Sequence, residues 1–313
     1  MLQATFPGAG NERAVRRYHG FATKANMTAA NGEFMATLNM AVRDALVQLA
    51  RTCSASAGAR LSRDDPGIGP SHNRRVCSNY KPVTRADRLL AFFGVVRERD
   101  DESVDAWPTG LAPFIRLAEE GSGNRRIVHD GVFGLLPHFA TELAYGRRTY
   151  NARTETVHQL ASFRDAWKRG QRCIVPAELI YEPHYPDDTS KPVRWAIYQP
   201  GAVPMGIAGI YTKWRHPDGR ELFSFAMLTV NADDHPYYRQ FHKPGEEKRM
   251  PIILDPKDQD AWLACSVHEA PMFFRQFTGP LIGEPAPLPP RAPAASSVRT
   301  SRPPKPPEQP PLF

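Results

Sequence analysis

Residues 205–230 read MGIAGIYTKWRHPDGRELFSFAMLTV. Two runs rich in apolar, β-branched and aromatic residues, 205–214 and 221–230, lie on either side of the sequence HPDG at 216–219. Runs of this composition are typical of β-strands, and a Pro-Asp-Gly turn between two of them is typical of a hairpin. The stretch therefore predicts two antiparallel strands joined by a short turn.

Further elements are predicted on both sides of this hairpin. Apolar runs predict strands, and apolar positions at helical spacing predict helices that end at glycine. The predicted strands are 127–136, 172–175, 194–198 and 250–254, and the predicted helices are 84–90, which stops near Gly94, 157–167, which stops at Gly170, and 258–263. Successive strands with hairpin turns indicate an α+β fold with a curved, largely antiparallel sheet and flanking helices, not a doubly wound parallel sheet.

Composition divides the 313 residues into three regions. Residues 1–76 end in the loop-like sequence DDPGIGPS, and apart from one amphipathic helix predicted at 37–49 we expect a disordered extension that is not part of the working protein. Residues 280–313 hold 12 of the 31 prolines and are expected to form a disordered tail, partly in the polyproline II conformation. The region between them, 77–279, is expected to be one catalytic domain.

Charge and cysteine content bear on several classes of function. The formal net charge is +7, but residues 1–76 contain ten basic and five acidic residues, so the rest of the chain is only +2. This near balance does not by itself predict nucleic-acid binding. The four cysteines form no CxxC pair, which argues against a zinc site and a disulfide framework and favours a reducing cytoplasm. The sequence has no apolar run of about 18 residues, and no P-loop, dinucleotide-binding, serine-hydrolase or zinc-protease motif.

Four short segments within 77–279 carry the candidate chemistry. They are VCSNY at 76–80, YNARTET at 150–156, RCIVPA at 172–177 followed by Tyr181 and Glu182, and Phe241-His242 followed by RMPIIL at 249–254. In this order and spacing they resemble the SOS response-associated peptidase (SRAP) family of abasic-site processing proteins, from Cys77 to about residue 275. The resemblance implies that the predicted sheet is barrel-like.

The resemblance also implies an unusual reaction. In this family a cysteine becomes the first residue and attacks the ring-opened aldehyde of an abasic site in single-stranded DNA. Its amine forms a Schiff base, its thiol closes a thiazolidine ring, and the covalent link shields the lesion. A thiazolidine needs an amine and a thiol on adjacent carbons, and at neutral pH roughly a tenth of an α-amine is the reactive free base, against well under about 0.1% of a lysine. Cys77 is therefore the expected nucleophile.

Cys77 follows Val76 in the sequence, so its nitrogen is an amide as written. Two routes would free it. A GTG codon, read internally as valine, can serve as a start codon, in which case Val76 would be installed as methionine and removed. Alternatively, the Val76–Cys77 bond is cleaved, in keeping with the family's peptidase name. We favour the first route because residues 1–76 look structureless. The alternative to a catalytic role is that Cys77 is simply a small buried residue.

Three further residues match catalytic positions of the family. The resemblance implies that Asn151 hydrogen-bonds and orients the cysteine. It implies that Glu182 moves protons during Schiff-base formation and ring closure, and that His242 assists proton transfer and reversal of the link. The plain alternatives are a turn residue capping the next helix for Asn151 and a surface glutamate at a strand end for Glu182.

Two departures from the family pattern lie beside these residues. Where the family has tryptophan after the glutamate, this chain has Pro183, which puts one aromatic contact to DNA in doubt. The family's histidine often lies closer to the RMP sequence, whereas here the six residues KPGEEK at 243–248 separate them. His242 remains the first candidate, and His235 and His158 are the alternatives, each better explained as a surface or capping residue.

DNA contacts are expected from four residues. Arg153 is expected to contact phosphate or the sugar near the lesion, the alternative being an ion pair with Glu155. Phe133 and Pro137 belong to the sequence FGLLP, which resembles the family's W-G-L-x-P element. An aromatic there stacks on a base or else packs in the core. Tyr80, which closely follows the cysteine, is the fourth expected contact.

We therefore expect an enzyme that senses abasic sites in single-stranded DNA, crosslinks to them and shields them during the DNA damage response. It is expected to act as a cytoplasmic monomer, associated with the nucleoid when bound to DNA, with no membrane, metal or cofactor. One alternative is a cysteine peptidase or amidase that uses Cys77 with His242 on peptides, and it would tolerate an internal Cys77. Another is a non-catalytic DNA-binding adaptor whose proline tail recruits partners.

Overall fold

The computed structural model describes residues 3–7, 13–17 and 79–288, the last range without residues 120, 122, 124, 187–190 and 217. Cys77, the helix predicted at 37–49 and residues 289–313 of the tail lie outside the described residues. The chain divides into two units, residues 1–72 and residues 73–313.

The first unit contains two strands that the sequence did not predict. Strands β1 (Gln3–Pro7) and β2 (Arg13–Arg17) pair antiparallel over their full length. The sequence QATFP of β1 alternates polar and apolar residues over only its first four positions, and RAVRR of β2 does not alternate, so neither segment was read as a strand. The structure therefore differs from the expected disordered extension at these two segments.

Eleven strands of the second unit form one sheet among its described residues. In chain order they are β3 (Asn79–Pro82), β4 (Leu111–Leu117), β5 (Arg126–Phe133), β6 (Asn151–Arg153), β7 (Arg172–His184), β8 (Val193–Tyr198), β9 (Met205–Arg215), β10 (Glu221–Asn231), β11 (Arg249–Pro251), β12 (Ile253–Leu254) and β13 (Ile282–Pro285). The helices are α1 (Ala86–Phe93), α2 (Ala161–Lys168) and α3 (Gln259–Ala264). Strands β9 and β10 pair antiparallel and confirm the predicted hairpin.

Five of the strands close into a barrel in the order β9-β10-β5-β4-β7, because β7 pairs again with β9. The pairing of β5 with β10 is parallel, and the other four are antiparallel. Close packing requires Gly209 in β9, since a Cβ there would lie 2.7 Å from the carbonyl oxygen of Ala226 and 2.9 Å from Sγ of Cys173. The expected α+β fold with a curved, largely antiparallel, barrel-like sheet is confirmed.

Strand β7 connects the barrel to the candidate site. Its first half, from Arg172 to Ala177, pairs with β9, and its second half pairs with β8 and β3. A β-bulge at Glu178 separates the halves, because Ala177 and Leu179 are opposite consecutive residues of β3. Beyond the bulge, β7 pairs with β3 as far as Tyr181 and with β8 as far as His184, well past the end predicted at residue 175.

The helices begin and end close to the predicted positions. Gly94 ends α1 with φ 65, and its N–H bonds to the carbonyl groups at the end of the helix, as the sequence predicts. Helix α1 begins after Arg85, without a side-chain cap. Helix α2 begins at Ala161, four residues later than predicted, because Val157 and Leu160 lie in the turns before it.

The folded domain extends past the boundary predicted at residue 279. Strand β13 pairs with β8 at the edge of the sheet, with Ile282 opposite Tyr198 and Pro285 opposite Trp195. Prolines at 280 and 285 give this segment the composition of the tail, but an edge strand tolerates proline where no N–H is needed. The sheet therefore continues to Pro285, past the predicted boundary.

None of the helices among the described residues is long and apolar enough to cross a membrane.

Candidate active site

Glu182 lies in the second half of β7 and is only 1% exposed. Trp195 of β8 is opposite Glu182, and on the other side of β7, Asn79 of β3 is opposite Tyr181. Directly opposite residues of neighbouring strands point to the same face, so Glu182 and Trp195 share one face of the sheet. The alternative of a surface glutamate at a strand end is therefore excluded.

Strand β3, which follows Cys77 in the chain, is fixed along both of its edges. One edge pairs with β7. On the other, the N–H of Tyr80 donates to the carbonyl oxygen of Ala106 (3.2 Å), and the N–H of Ala106 donates to that of Tyr80 (2.8 Å). Asn79, the first residue of β3, is buried. The strand therefore begins at a fixed position beside the end of β7 that bears Glu182.

His242 reaches Glu182 from the segment before β11. Its N–H donates to the carbonyl oxygen of Pro183 (2.8 Å), and its Nε2 lies 3.0 Å from the carbonyl oxygen of Arg249 and 3.7 Å from Oε2 of Glu182. His242 has φ 62, a left-handed conformation that is uncommon outside glycine and is often found at functional sites. Glu182 and His242 are referred to below as the buried pair.

Burial determines the protonation state of His242. A carbonyl oxygen can only accept, so Nε2 must carry the proton in its bond to Arg249. Burial lowers the pKa of His242 below its ordinary value of 6.5, and the charges of Lys248 and Arg249 act in the same direction. Together these outweigh the bond to the Arg249 carbonyl and the charge of Glu246, which raise the pKa. His242 is therefore uncharged at neutral pH, with Nδ1 unprotonated and able to accept a proton.

Arg249 anchors His242 and connects two of the sequence motifs. Its side chain is 3% exposed and donates to Glu155 (2.8 and 3.0 Å), to Glu247 (2.8 Å) and to the carbonyl oxygen of Thr229 (2.6 Å). Because Glu155 belongs to the YNARTET segment, this segment and the RMP sequence are in direct contact. Sequence reasoning included Arg249 in a motif but gave it no role, since its partners are brought together by the tertiary fold.

Arg153 pairs with Glu247, not with Glu155. Its Nη2 donates to Oε2 of Glu247, while Glu155 is held by Arg249. The ion pair with Glu155 that was the alternative for Arg153 is therefore replaced by one with Glu247. Burial opposes ionisation of Glu247, but the hydrogen bonds from Arg153 and Arg249 outweigh it and lower the pKa of this carboxyl from 4.5 to about 2.

Asn151 is the first residue of β6 and is half-buried. Strand β6 pairs parallel with β10, with Asn151 opposite Met227. Strand β10 also pairs with β11, where Thr229 is opposite Pro251, so the NAR sequence and the RMP sequence are bound to the same strand. The alternative for Asn151 was a helix cap, but Leu160 precedes the next helix.

The model of the SOS response associated peptidase (SRAP) family matches residues 76–281. The chain belongs to the SRAP family. The family expected from the four sequence segments is thereby confirmed, and the match includes Cys77 together with every element that forms the buried pair.

Relatives of this SRAP chain include named abasic site processing proteins. YoqW of Bacillus subtilis is 30% identical over 151 residues, which cover 48% of this chain and 62% of YoqW. HMCES of Gallus gallus is 26% identical over 225 residues, which cover 63% of each chain. The chain therefore spans less than two thirds of the length of these relatives.

Two solved structures are similar to the SRAP domain. A protein of Bordetella bronchiseptica is 33% identical, with a TM-score of 0.62 over 68% of this chain and 100% of that chain. A protein of Bacteroides thetaiotaomicron is 22% identical, with a TM-score of 0.53 over 66% of this chain and 90% of that chain, which supports the fold alone.

Three of the four expected DNA-binding residues are buried in the SRAP domain. Tyr80 and Phe133 are 0% exposed and pack edge to face, with ring centroids 5.1 Å apart, and Pro137 is buried as well. A ring without exposed surface cannot stack on a base, so the structure favours core packing for Phe133 and lends no support to DNA contacts of Tyr80 or Pro137. Arg153 is the one of the four that exposes about a third of its side chain.

Phe139 is the exposed aromatic residue next to the FGLLP element. It is 43% exposed, and its ring centroid lies 5.8 Å from that of Tyr145, over which the guanidinium of Arg148 lies at 4.7 Å. Gly134 gives the element its path, since it has φ 122 and a Cβ there would lie 2.2 Å from the carbonyl oxygen of Gly146. Sequence reasoning overlooked Phe139 because the motif directs attention to its first aromatic residue.

The two alternative histidines lie in the surroundings that the sequence predicted, one capping and one at the surface. His235 is a buried capping residue, whose Nδ1 accepts from the N–H groups of Tyr237 and Tyr238 and whose Nε2 bonds to the carbonyl oxygen of Phe277. His158 is exposed. Within the described part of the chain, no three His, Cys, Asp or Glu side chains are grouped so that they could hold a metal ion.

Proposed function

We propose that this chain processes abasic sites in single-stranded DNA, and that Cys77, once it is the first residue, links covalently to the lesion. The observation that carries the proposal is the position of the buried pair beside the start of β3. Asn79, two residues after Cys77, is opposite Tyr181, the residue before Glu182. Two residues of extended chain span about 7 Å, and we propose that the amine and the thiol of Cys77 reach Glu182 over this length.

We propose that the working domain begins at Cys77 and ends after β13. The SRAP match starts at residue 76, and the chain divides into two units between residues 72 and 73. The names of the relatives, abasic site processing proteins, support the same class of substrate. A start at Val76 and cleavage before Cys77 both produce the α-amine that the reaction needs. Release of residues 1–76 from the full chain, blocked by Cys77→Ala, would favour cleavage and a peptidase activity.

The proposed reaction assigns a role to each residue. The α-amine of Cys77 adds to the aldehyde carbon, and the resulting carbinolamine loses its hydroxyl as water to give a Schiff base. The thiol then adds to the imine carbon, its proton passes to the imine nitrogen, and one water molecule is released in total. Glu182 donates the proton to the departing hydroxyl and His242 accepts and returns protons through Nδ1. Asn151 orients the cysteine.

The test uses a shortened chain that begins Met-Cys77, from which the methionine is removed, and a single-stranded oligonucleotide with one abasic site. Intact mass spectrometry is expected to show the sum of protein and oligonucleotide less one water molecule. Cys77→Ala in the same chain and the uncleaved 313-residue chain are both expected to give no adduct. An adduct that survives Cys77→Ala, or none from a folded chain with a verified terminal cysteine, would overturn the proposal.

We further propose that a single chain binds each lesion without metal or cofactor. The adduct is expected to contain one protein per oligonucleotide, and a chelator such as EDTA is expected to leave its yield unchanged. Two chains per oligonucleotide, or loss of the adduct with EDTA, would contradict this part of the proposal.

A further inference from the structure

Two guanidinium groups meet at one carboxylate next to the buried pair. Nη2 of Arg153 donates to Oε2 of Glu247, and Nη1 of Arg249 donates to Oε1 of the same side chain at 2.8 Å. The side chains of Arg153 and Glu247 are 33% and 37% exposed, whereas that of Arg249 is 3% exposed. Arg153 and Arg249 are called the arginine seat below, and Glu247 is the group that occupies it.

Glu247 belongs to the six-residue segment 243–248, which separates the histidine of the buried pair from the RMP sequence. Lys248 anchors this segment, because its N–H donates to Oδ1 of Asp233 (2.7 Å) and its Nζ donates to the carbonyl oxygen of His242 (3.1 Å). The segment therefore folds back onto the site and presents the carboxylate of Glu247 to the arginine seat.

Arg249 does not depend on Glu247 alone for its position. Its side chain also makes two hydrogen bonds to Glu155 and one to the carbonyl oxygen of Thr229, none of which involves Glu247. The pair between Arg153 and Glu247 is partly exposed, and such pairs are weakened by solvent and salt. Guanidinium groups bind phosphate oxygens in the same forked geometry as carboxylate oxygens. An incoming phosphodiester can therefore take the place of the carboxylate.

We propose that Glu247 competes with DNA for the arginine seat, so that a backbone phosphate of single-stranded DNA binds there only by displacing this carboxylate. The inference rests on the proposed function, because it takes Arg153 as a phosphate ligand. Undamaged single-stranded DNA offers backbone contacts alone and is therefore held weakly, whereas a lesion is retained by its covalent link. Glu247 thus sets the affinity of the chain for DNA that needs no processing.

The experiment measures binding of the full chain to an undamaged, fluorescein-labelled oligothymidylate by anisotropy at several salt concentrations. Glu247→Gln is expected to tighten binding about three- to tenfold, because the weak competing charge is removed. The slope of log affinity against log salt is expected to steepen by about 0.7, since one more phosphate is neutralised. The glutamine keeps Oε1 as an acceptor for Arg249, and Glu247→Ala is a second variant that is expected to show the same gain.

Asp87→Asn is the matched control. It makes the same change in net charge and also releases an exposed arginine, Arg85, from its carboxylate partner on α1. It is expected to change neither the affinity nor the salt slope. In a chain that carries Arg153→Gln, the gain from Glu247→Gln is expected to fall to at most about twofold, because the two residues share one interaction.

Four results would overturn the inference: binding by Glu247→Gln that is no tighter than that of the parent chain, an equal gain in Asp87→Asn, a full gain in the absence of Arg153, or no binding by any of the chains. Adduct formation by the shortened chain tests the proposed function separately, because it requires Cys77. An adduct together with unchanged binding overturns the role of Glu247 alone. Tighter binding by Glu247→Gln without any adduct overturns the covalent link alone.

Discussion

The buried pair and the arginine seat are linked through Arg249, whose carbonyl oxygen lies 3.0 Å from Nε2 of His242. The two regions differ in charge, and Arg153 and its partner Glu247 are more exposed than the buried pair. Glu182 and His242 are 1% and 6% exposed, and burial lowers the pKa of His242, so this histidine is uncharged at neutral pH. At the seat, Arg153 and Glu247 each expose about a third of their side chains, and the pKa of Glu247 is held at about 2. Water exclusion suits groups that exchange protons, whereas exposure suits groups that exchange one anion for another. The two regions should therefore respond differently to mutation.

Glu182→Gln is expected to have the largest effect. It keeps the size of the side chain but removes proton transfer, which contributes roughly 10²–10⁴-fold to the rate of a reaction of this kind. We expect the rate of adduct formation at saturating abasic oligonucleotide to fall at least about 100-fold, as measured by quenched time courses on denaturing gels. Binding of the undamaged oligonucleotide is expected to stay within about twofold of the parent chain, because the proposed phosphate contact is at the arginine seat and not at Glu182.

Arg153→Gln is the counterpart that separates rate from affinity. It is expected to weaken binding of the undamaged oligonucleotide while leaving the rate at saturation nearly unchanged. If Glu182→Gln weakens binding as much as Arg153→Gln does, or if Arg153→Gln slows the saturated reaction as much as Glu182→Gln does, the division into two regions fails.

Features that depend on local sequence could be predicted, whereas features that depend on distant contacts could not. The hairpin at 205–230, the helix end at Gly94 and the segments around Glu182 and His242 depend on local composition, turns and motif order, and all were found from the sequence. Strand β13 was missed because proline content was taken as the property of a tail, although an edge strand accommodates Pro285. The pairing of Arg153 with Glu247 was missed because it depends on how segment 243–248 folds back.

The exposure of the aromatic residues near the FGLLP element could not be predicted from the sequence either. Phe133 occupies the motif position and is 0% exposed, whereas Phe139, six residues later, is 43% exposed. Motif order fixes where an aromatic residue lies in the chain, but the direction of its ring depends on strands that are distant in sequence, such as β10, whose Phe225 stacks on Phe133. Only the structure therefore shows which of these rings is exposed.

Arg249→Gln is expected to have the second largest effect, because Arg249 belongs to both regions. Its carbonyl oxygen holds His242 and its guanidinium forms half of the seat. Loss of several charge-assisted hydrogen bonds from a side chain that is 3% exposed is expected to lower the free energy of unfolding by about 2 kcal/mol. Arg153→Gln, at a partly exposed position, is expected to change the free energy of unfolding by no more than about 0.5 kcal/mol. Urea unfolding followed by circular dichroism measures both, and equal losses would contradict the assignment.

The smallest effect is the pH dependence of stability that His242 produces. Its pKa in the folded chain is lowered by burial, so between that value and the ordinary 6.5 the unfolded chain binds more protons than the folded one. The stabilising contribution is therefore fully present above about pH 6.5 and declines as the pH falls toward the folded pKa. His242→Gln removes this dependence, and the parent chain is expected to lose more stability than the variant between about pH 7.5 and about pH 5.5, by at most about 1.4 kcal/mol.

His129 contributes to the pH dependence of stability in the same direction, since burial and the charge of Arg116 lower its pKa to about 4. It is present in both chains, so its contribution cancels from their difference.

Glu247, which occupies the arginine seat, titrates in a lower pH range than His242. Its pKa is lowered from 4.5 to about 2, so its contribution to stability is present above about pH 4.5 and is lost only as the pH falls further. Glu247→Gln should therefore leave the change in stability between about pH 7.5 and about pH 5.5 as it is in the parent chain. A change caused by Glu247→Gln in this window, with none caused by His242→Gln, would mean that Glu247 and not the buried pair senses protons near neutrality.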